Sequence, residues 1–182
     1  MMIVRASCVG DIVELQHLEA AAARRFLSVP ALAFLAAAAV TDYATHAAAI
    51  EDELAWKVEG RDGRIKGFCY CQHGNEGLYL AEISTHPDFQ RQGVGAALLA
   101  AVFAKAQALG VKEITLTTYR DVAWNAPWYQ RHGFSVIETE RLTPELTRCL
   151  AHQRAAGLMV LPRCAMRYLL GKREILVDKP LL

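Results

Sequence analysis

Ile83-Ser84-Thr85-His86-Pro87-Asp88-Phe89-Gln90-Arg91-Gln92-Gly93-Val94-Gly95-Ala96-Ala97-Leu98-Leu99 is the stretch that decides how this chain is read. It closes a β-prone run, turns through a loop bearing glycines 93 and 95, and opens at once into an Ala/Leu-rich helix. That helix is expected from Ala96 to Leu109, with Gly110 as its C-cap. Glycine reaches backbone conformations closed to other residues and lets a ligand approach the main chain closely. The helix start behind it leaves amide N–H groups without internal partners and adds a partial positive charge. Together these features make a pyrophosphate cradle that needs no catalytic side chain. Two familiar phosphate loops are excluded by the flanking residues. A P-loop ends in Gly-Lys-Ser/Thr, whereas Ala96 and Ala97 follow Gly95, and a dinucleotide fingerprint needs a third small residue where Leu98 stands. On glycine spacing alone, a plain turn before an amphipathic helix is the favoured reading.

Working outward, Leu78 to Thr85 reads as the strand leading into the loop, closed by His86-Pro87. Before it, Leu54 to Glu59 and Ile65 to Gln72 alternate as a hairpin around the turn at Gly60 to Gly63. Met2 to Ala6 is a short first strand. From Asp11 the positions Ile12, Leu15, Leu18 and Ala22 recur at helical spacing, with Asp11 as N-cap, Glu14 as its capping-box partner, and Arg24 and Arg25 at the far end. Pro30 then breaks the pattern. An alanine-rich helical region follows in two pieces, the second opened by Thr41 or Asp42. Downstream come a strand at Glu113 to Thr118, a short helix at Pro127 to Arg131, and a strand at Phe134 to Glu138. A helix starts at Thr143-Pro144-Glu145 and runs to about Ala156, and a last strand covers Cys164 to Leu170.

With this frame in place, Gln90-Arg91-Gln92-Gly93-Val94-Gly95-Ala96 resembles the Arg/Gln-x-x-Gly-x-Gly/Ala signature of the GNAT superfamily. Ile83-Ser84-Thr85-His86-Pro87 resembles that family's fourth strand. Trp128-Tyr129-Gln130-Arg131-His132-Gly133-Phe134 is similar to its second hallmark, an aromatic-Tyr pair in a short helix followed by Gly-Phe and a strand. The order of elements agrees from about Met2 to Leu170. The resemblance implies an α/β (α+β) fold with a central, mostly antiparallel mixed sheet of six to seven strands. That sheet splays between its fourth and fifth strands and is flanked by helices. A single domain is expected over residues 1–170, followed by a tail at 171–182.

The resemblance also implies acetyl-CoA as cosubstrate, without a metal. Its pantetheine would lie in the splay against backbone at Ile83, Ser84 and Thr85. Its pyrophosphate would rest on the loop and helix start formed by Gln90, Arg91, Gln92, Gly93, Val94, Gly95 and Ala96. In one respect the chain departs from the pattern. The Asn that family members often carry some seven residues before the helix tyrosine falls here at Val122, and Asn125 is expected instead to cap the helix ahead of Pro127.

Acetyl transfer to an amine needs a neutral nucleophile, a held oxyanion and a proton for the departing thiolate. Glu82, flanked by apolar Ala81 and Ile83, is the candidate base, since partial burial raises a carboxyl pKa; an exposed strand glutamate is the alternative. Tyr129 matches the family's helix tyrosine and is the candidate acid toward the thiolate. A backbone amide near Ser84 or Thr85 is the candidate oxyanion donor. His86 is either a proton relay or a strand-end cap. Tyr119, Trp124, Trp128 and Tyr129 form either an acceptor wall with cation–π capacity or ordinary core.

The expected function is acetyl-CoA-dependent N-acetylation of a primary amine, that of a small molecule, by direct attack in a ternary complex. Acetylation of a protein N-terminus or lysine is the alternative, as is a non-catalytic acyl-CoA sensor. The chain has 182 residues, 53% hydrophobic and 21% charged, with a formal net charge of +1. This balance reads as a globular domain with no basic, aromatic-interleaved stripe for nucleic acid. The apolar run Ala31 to Val40 is about half a bilayer span, and Met1 to Gly10 lacks the pattern of a secretion signal, so no membrane partner and a cytoplasmic location are expected. The five cysteines include no Cys-x-x-Cys pair, and Cys69 and Cys71 read as small hydrophobes on one strand face. A homodimer is the default assembly.

Overall fold

Strands dominate the first half because residues 55–85 alternate β-branched, aromatic and small residues that fit a pleated surface. In the computed structural model, which describes residues 2–171, seven strands form one sheet in the order β1-β2-β3-β4-β5-β7-β6. They are β1 (Ile3–Ala6), β2 (Ala55–Glu59), β3 (Ile65–His73), β4 (Gly77–Thr85), β5 (Glu113–Tyr119), β6 (Ser135–Val136) and β7 (Arg163–Leu169). All neighbours run antiparallel except β4 and β5, which are parallel. The expected tail lies outside the described residues apart from Gly171.

The helices are α1 (Ile12–Ala23), α2 (Tyr43–Glu51), α3 (Val94–Leu109), α4 (Ala126–Arg131) and α5 (Pro144–Ala155). Alternation along the strands divides them between the two faces. Cys69, Cys71, Leu78, Leu80, Ile114, Leu116 and Met166 pack against Leu98, Leu99, Val102 and Ala106 of α3, with Ala126 and Tyr129 of α4 in the same cluster. Phe68 and Tyr70, pointing the other way, pack with Leu15 and Leu18 of α1 and Ala49 of α2. Beside that cluster, α5 covers the far half of the sheet through Leu146 against Ala165 and Ile137. Burial also pushes the Cys71 thiol up to about 12, which leaves it an inert packing group.

Three local expectations are corrected. Asp11 does not cap α1 with its side chain: it accepts from the Cys8 amide at 2.8 Å and from Lys57 Nζ at 2.7 Å. Glu14, likewise, meets the Ile65 amide at 3.4 Å rather than closing a capping box at Asp11. The first piece of the alanine-rich region is not α-helical. Arg24–Ser28 and Pro30–Ala37 are 3₁₀ turns, and Phe26, Val29, Leu32 and Leu35 explain why. These four recur every third residue, and a helix with three residues per turn stacks them on one face, against Tyr119 and Val122. Asp42 does open α2, accepting from the Thr45 amide at 2.7 Å.

Two features of β4 set the functional end of the sheet. Pairing with β5 involves only Gly77, Leu78 and Tyr79, opposite Glu113 to Thr115; beyond them the two strands no longer pair with each other and diverge. A Cβ at Gly77 would strike the Glu113 carbonyl, so only glycine lets the strands meet there. In addition, the register with β3 shifts between Tyr70, opposite Glu82, and Cys71, opposite Leu80. Ala81 is therefore the extra residue of a bulge, which re-aims the side chains that follow.

Candidate active site

Where β4 and β5 separate, a cleft of about 960 Å³ opens through the sheet. Its floor and near wall are Leu80 to Thr85, whose β5-facing backbone edge is left unpaired. Its far wall runs from Leu116 to Tyr119. One end is closed by Gln90, Arg91 and Gly93 to Ala96, and another by Asn125, Trp128 and Tyr129 of the α4 region. The two 3₁₀ segments contribute Arg25, Phe26 and Leu35 as a further wall.

The loop end is built as an amide cradle. Arg91 and Gly93 both lie in the left-handed region, at φ +59° and +85°, and Gly93 is the N-cap of α3. A helix start presents its first amides outward; here Ala97 is the first residue to bond back, to the Gly93 carbonyl at 3.0 Å, which leaves Val94, Gly95 and Ala96. The helix thus begins two residues earlier than expected, and Gly95 is helical rather than left-handed. Its requirement comes from elsewhere: a Cβ there would approach the Trp128 indole to 3.0 Å. Likewise Gly67 lets Val94 settle onto β3, since a Cβ would come within 2.6 Å of the Val94 side chain. Neither contact left a sequence signal beyond the glycine itself. Gln92 points away, donating Nε2 to the Asp88 carbonyl at 3.0 Å.

Glu82 lines the cleft and accepts the Ser84 hydroxyl at 2.7 Å. Burial, reinforced by the charge of Glu19, pushes its carboxyl up to about 7, against the opposing pull of Ser84 and the Ile83 amide. Sequence reasoning missed Glu19, although it lies on the apolar stripe of α1, four residues after Leu15 and three before Ala22. Its carboxylate is held by the Thr41 amide at 3.1 Å and the Thr41 hydroxyl at 3.2 Å. Burial raises its pKa as well. Nearby, His46 is 1% exposed between Phe68 and Tyr70, and burial lowers its pKa.

Tyr129 is 9% exposed and opens toward the same cleft. Its ring is set by Trp128 at 5.0 Å and Phe134 at 5.6 Å. Burial and the Glu82 charge raise its hydroxyl pKa well above the usual phenol value, so it carries its proton throughout the neutral range. Asn125 holds α4 differently from the expectation. Its carbonyl accepts from the Trp128 and Tyr129 amides, while its side-chain Nδ2 donates to Thr118 Oγ1 at 2.7 Å and ties α4 to the end of β5.

Of the two readings for His86, the structure supports the cap: its Nδ1 accepts from the Asp88 amide at 3.2 Å, and it is not part of the cleft wall. Aromatics, meanwhile, divide between the two expected roles. Trp128 packs on the start of α3, whereas Tyr119 and Trp124 join Phe26 in the wall below two guanidiniums, Arg163 over Tyr119 at 4.4 Å and Arg25 over Trp124 at 4.2 Å. Burial, and then the neighbouring charge of Arg91, lower the Arg25 pKa from its ordinary value. Among the described residues no group of three or more metal-ligating side chains comes together, and no helix is long and apolar enough to cross a membrane.

The family described as "Acetyltransferase (GNAT) domain" matches residues 48–136. An amino-acid acetyltransferase of Aeromonas salmonicida is 29% identical over 101 residues, 54% of this chain and 22% of that protein. The chain thus spans about a fifth of the length of the curated relatives it matches. N-acetylglutamate synthase from Neisseria gonorrhoeae, complexed with coenzyme A and N-acetyl-glutamate, has a similar fold at TM-score 0.67 and 19% identity, covering 94% of this chain and 36% of that one. The ribosomal-protein-S18-alanine N-acetyltransferase of Escherichia coli is similar at TM-score 0.65 and 18% identity, covering 95% and 98%.

Proposed function

We propose, on the match of residues 48–136 to the GNAT acetyltransferase domain, that the chain transfers an acetyl group from acetyl-CoA to the primary amine of a small molecule, within a ternary complex. The observation that carries this reading is the splay of β4 from β5, with an amide cradle at one end and a carboxyl and a phenol on its walls. The amides of Val94, Gly95 and Ala96, reached through the left-handed turn at Arg91 and Gly93, hold the pyrophosphate. The open edge of β4 at Ile83, Ser84 and Thr85 takes the pantetheine and offers an amide to the thioester oxygen. A carboxyl at about 7 is divided between base and acid at neutral pH, which suits Glu82 to take a proton from the acceptor ammonium.

The neutral amine then attacks the thioester carbonyl, a C–N bond forms, and the C–S bond breaks. Tyr129, held protonated by its surroundings, donates toward the departing thiolate sulfur. Solvent returns a proton to Tyr129 and takes one from Glu82. Support for a small amine comes from the likeness to amino-acid acetyltransferase. The shared fold with the ribosomal-protein acetyltransferase favours a peptide as the second reading. Release of free thiol from acetyl-CoA, measured with pooled amines and separately with peptides, decides between them. Turnover with the amine pool supports the proposal; turnover only with peptides transfers the assignment to a protein acceptor. No turnover with either, alongside tight acetyl-CoA binding, moves weight to a non-catalytic acyl-CoA sensor.

A further inference from the structure

We propose that Arg163 determines acceptor specificity by holding a carboxylate, so that the amine acetylated is one that also carries an acid group. The inference rests on the acetyl-transfer reading above and adds the chemical class of the acceptor.

Arg163 opens β7 and lies half-buried in the cleft wall. Its Nε donates to Gln153 Oε1 at 2.9 Å, its Nη2 to the Thr117 carbonyl at 3.5 Å, and its guanidinium stacks over Tyr119. Gln153 is itself fixed, donating Nε2 to Thr117 Oγ1 at 2.7 Å. Thr117 Oγ1 lies 2.8 Å from the hydroxyl of Tyr79, the last residue of β4 that pairs with β5. The arginine is therefore anchored to the apex of the splay. Holding a long side chain this way costs rotamer freedom, and the planar fork it presents matches a carboxylate.

Of the five N–H donors of a guanidinium, two are engaged among the described residues, which leaves three. No ion pair among the described residues includes Arg163, and neither acid of the cleft answers it. Glu19 is taken by Thr41, and Glu82 by Ser84. Directly beneath the guanidinium, Tyr119 is 2% exposed with a hydroxyl that has no hydrogen-bond partner among the described residues. Two sets of unspent donors in one wall call for an acceptor oxygen.

A phosphate of CoA is the other source of such an anion, and affinity for CoA separates the two. The probes are α-amino acids, each paired with its α-carboxamide, in the thiol-release assay. The carboxamide's amine is the less basic and loses its proton more readily, so a preference for the acid does not come from the amine. Wild-type protein is expected to favour the acid in kcat/KM. Arg163→Gln should lower kcat/KM for the acid roughly tenfold to a hundredfold, mainly through KM, the range of a lost charge-assisted hydrogen bond. The carboxamide and the CoA affinity should change less than about threefold. Arg163→Lys, which keeps the charge without the fork, should recover part of the preference and serves if the Gln variant fails to fold. Equal losses for acid and carboxamide, or weakened CoA binding, overturn the proposal. If no amine is turned over, the transfer reading has failed, and the carboxylate site is still read by calorimetry. The same amino acids are then titrated into the CoA complex. Binding that weakens tenfold in Arg163→Gln sustains the site, and no binding or equal binding overturns it.

Discussion

Glu82 is held in two opposing ways: burial and Glu19 favour its neutral form, while Ser84 and the Ile83 amide favour its anion. The balance leaves a folded-state pKa of about 7 against an ordinary value of 4.5. The sign for stability follows. Below the ordinary value both folded and unfolded chains hold the proton, and nothing is lost. Above it the unfolded chain ionises freely while the folded one resists, so Glu82 costs stability as pH rises to neutrality and beyond. Glu82→Gln should therefore melt higher than the parent at about pH 8 and alike at about pH 4. Turnover near neutrality should fall on the order of 10²-fold or more with CoA affinity unchanged. Thermal melts at the two pH values and a pH–rate profile check both. For Tyr129→Phe the ring contacts with Trp128 and Phe134 are preserved and only the proton is removed. Single-turnover rates should drop by about 10²-fold. An unchanged rate would leave Tyr129 as packing.

Elements meet at glycines whose reasons differ, and this is where the sequence was only partly legible. Gly93 could be read from its place before a helix, because a left-handed N-cap is a local property. Gly95, Gly67 and Gly77 serve contacts with residues far along the chain: Trp128, Val94 and Glu113. A single sequence does not contain those distances. The 3₁₀ segment was legible in principle through its threefold spacing from Phe26 to Leu35, but Pro and Ala composition pointed to ordinary helix. Glu19 was hidden for a similar reason. An acid on an apolar stripe has meaning only once the opposite strand supplies Glu82. By contrast, the succession of strands and helices along the chain lay in contiguous stretches and was readable, with the start of α3 misplaced by two residues. The most exacting test at this scale is Gly77→Ala. The added methyl meets the Glu113 carbonyl, so the β4–β5 junction must shift. A loss of about 3 kcal/mol in denaturant unfolding is expected, the upper range for overpacking. A loss below about 0.5 kcal/mol, the level of an ordinary surface change, would mean the strands do not join there.

At the scale of the whole molecule, one parallel pair in an otherwise antiparallel sheet does most to shape function. Because β4 and β5 share only three paired positions, the sheet opens where its two halves would otherwise seal. Helix α3 then delivers its first amides to one end, and α4, tied to β5 through Asn125 and Thr118, brings Tyr129 to the other. We propose that acetyl-CoA lies in this opening. Titration of isotope-labelled protein with CoA, followed through backbone amide resonances, tests it most directly. The largest shifts are expected at Arg91 to Ala96, with a second set at Glu82 to Thr85. Shifts concentrated elsewhere, or none at saturating CoA, would contradict it.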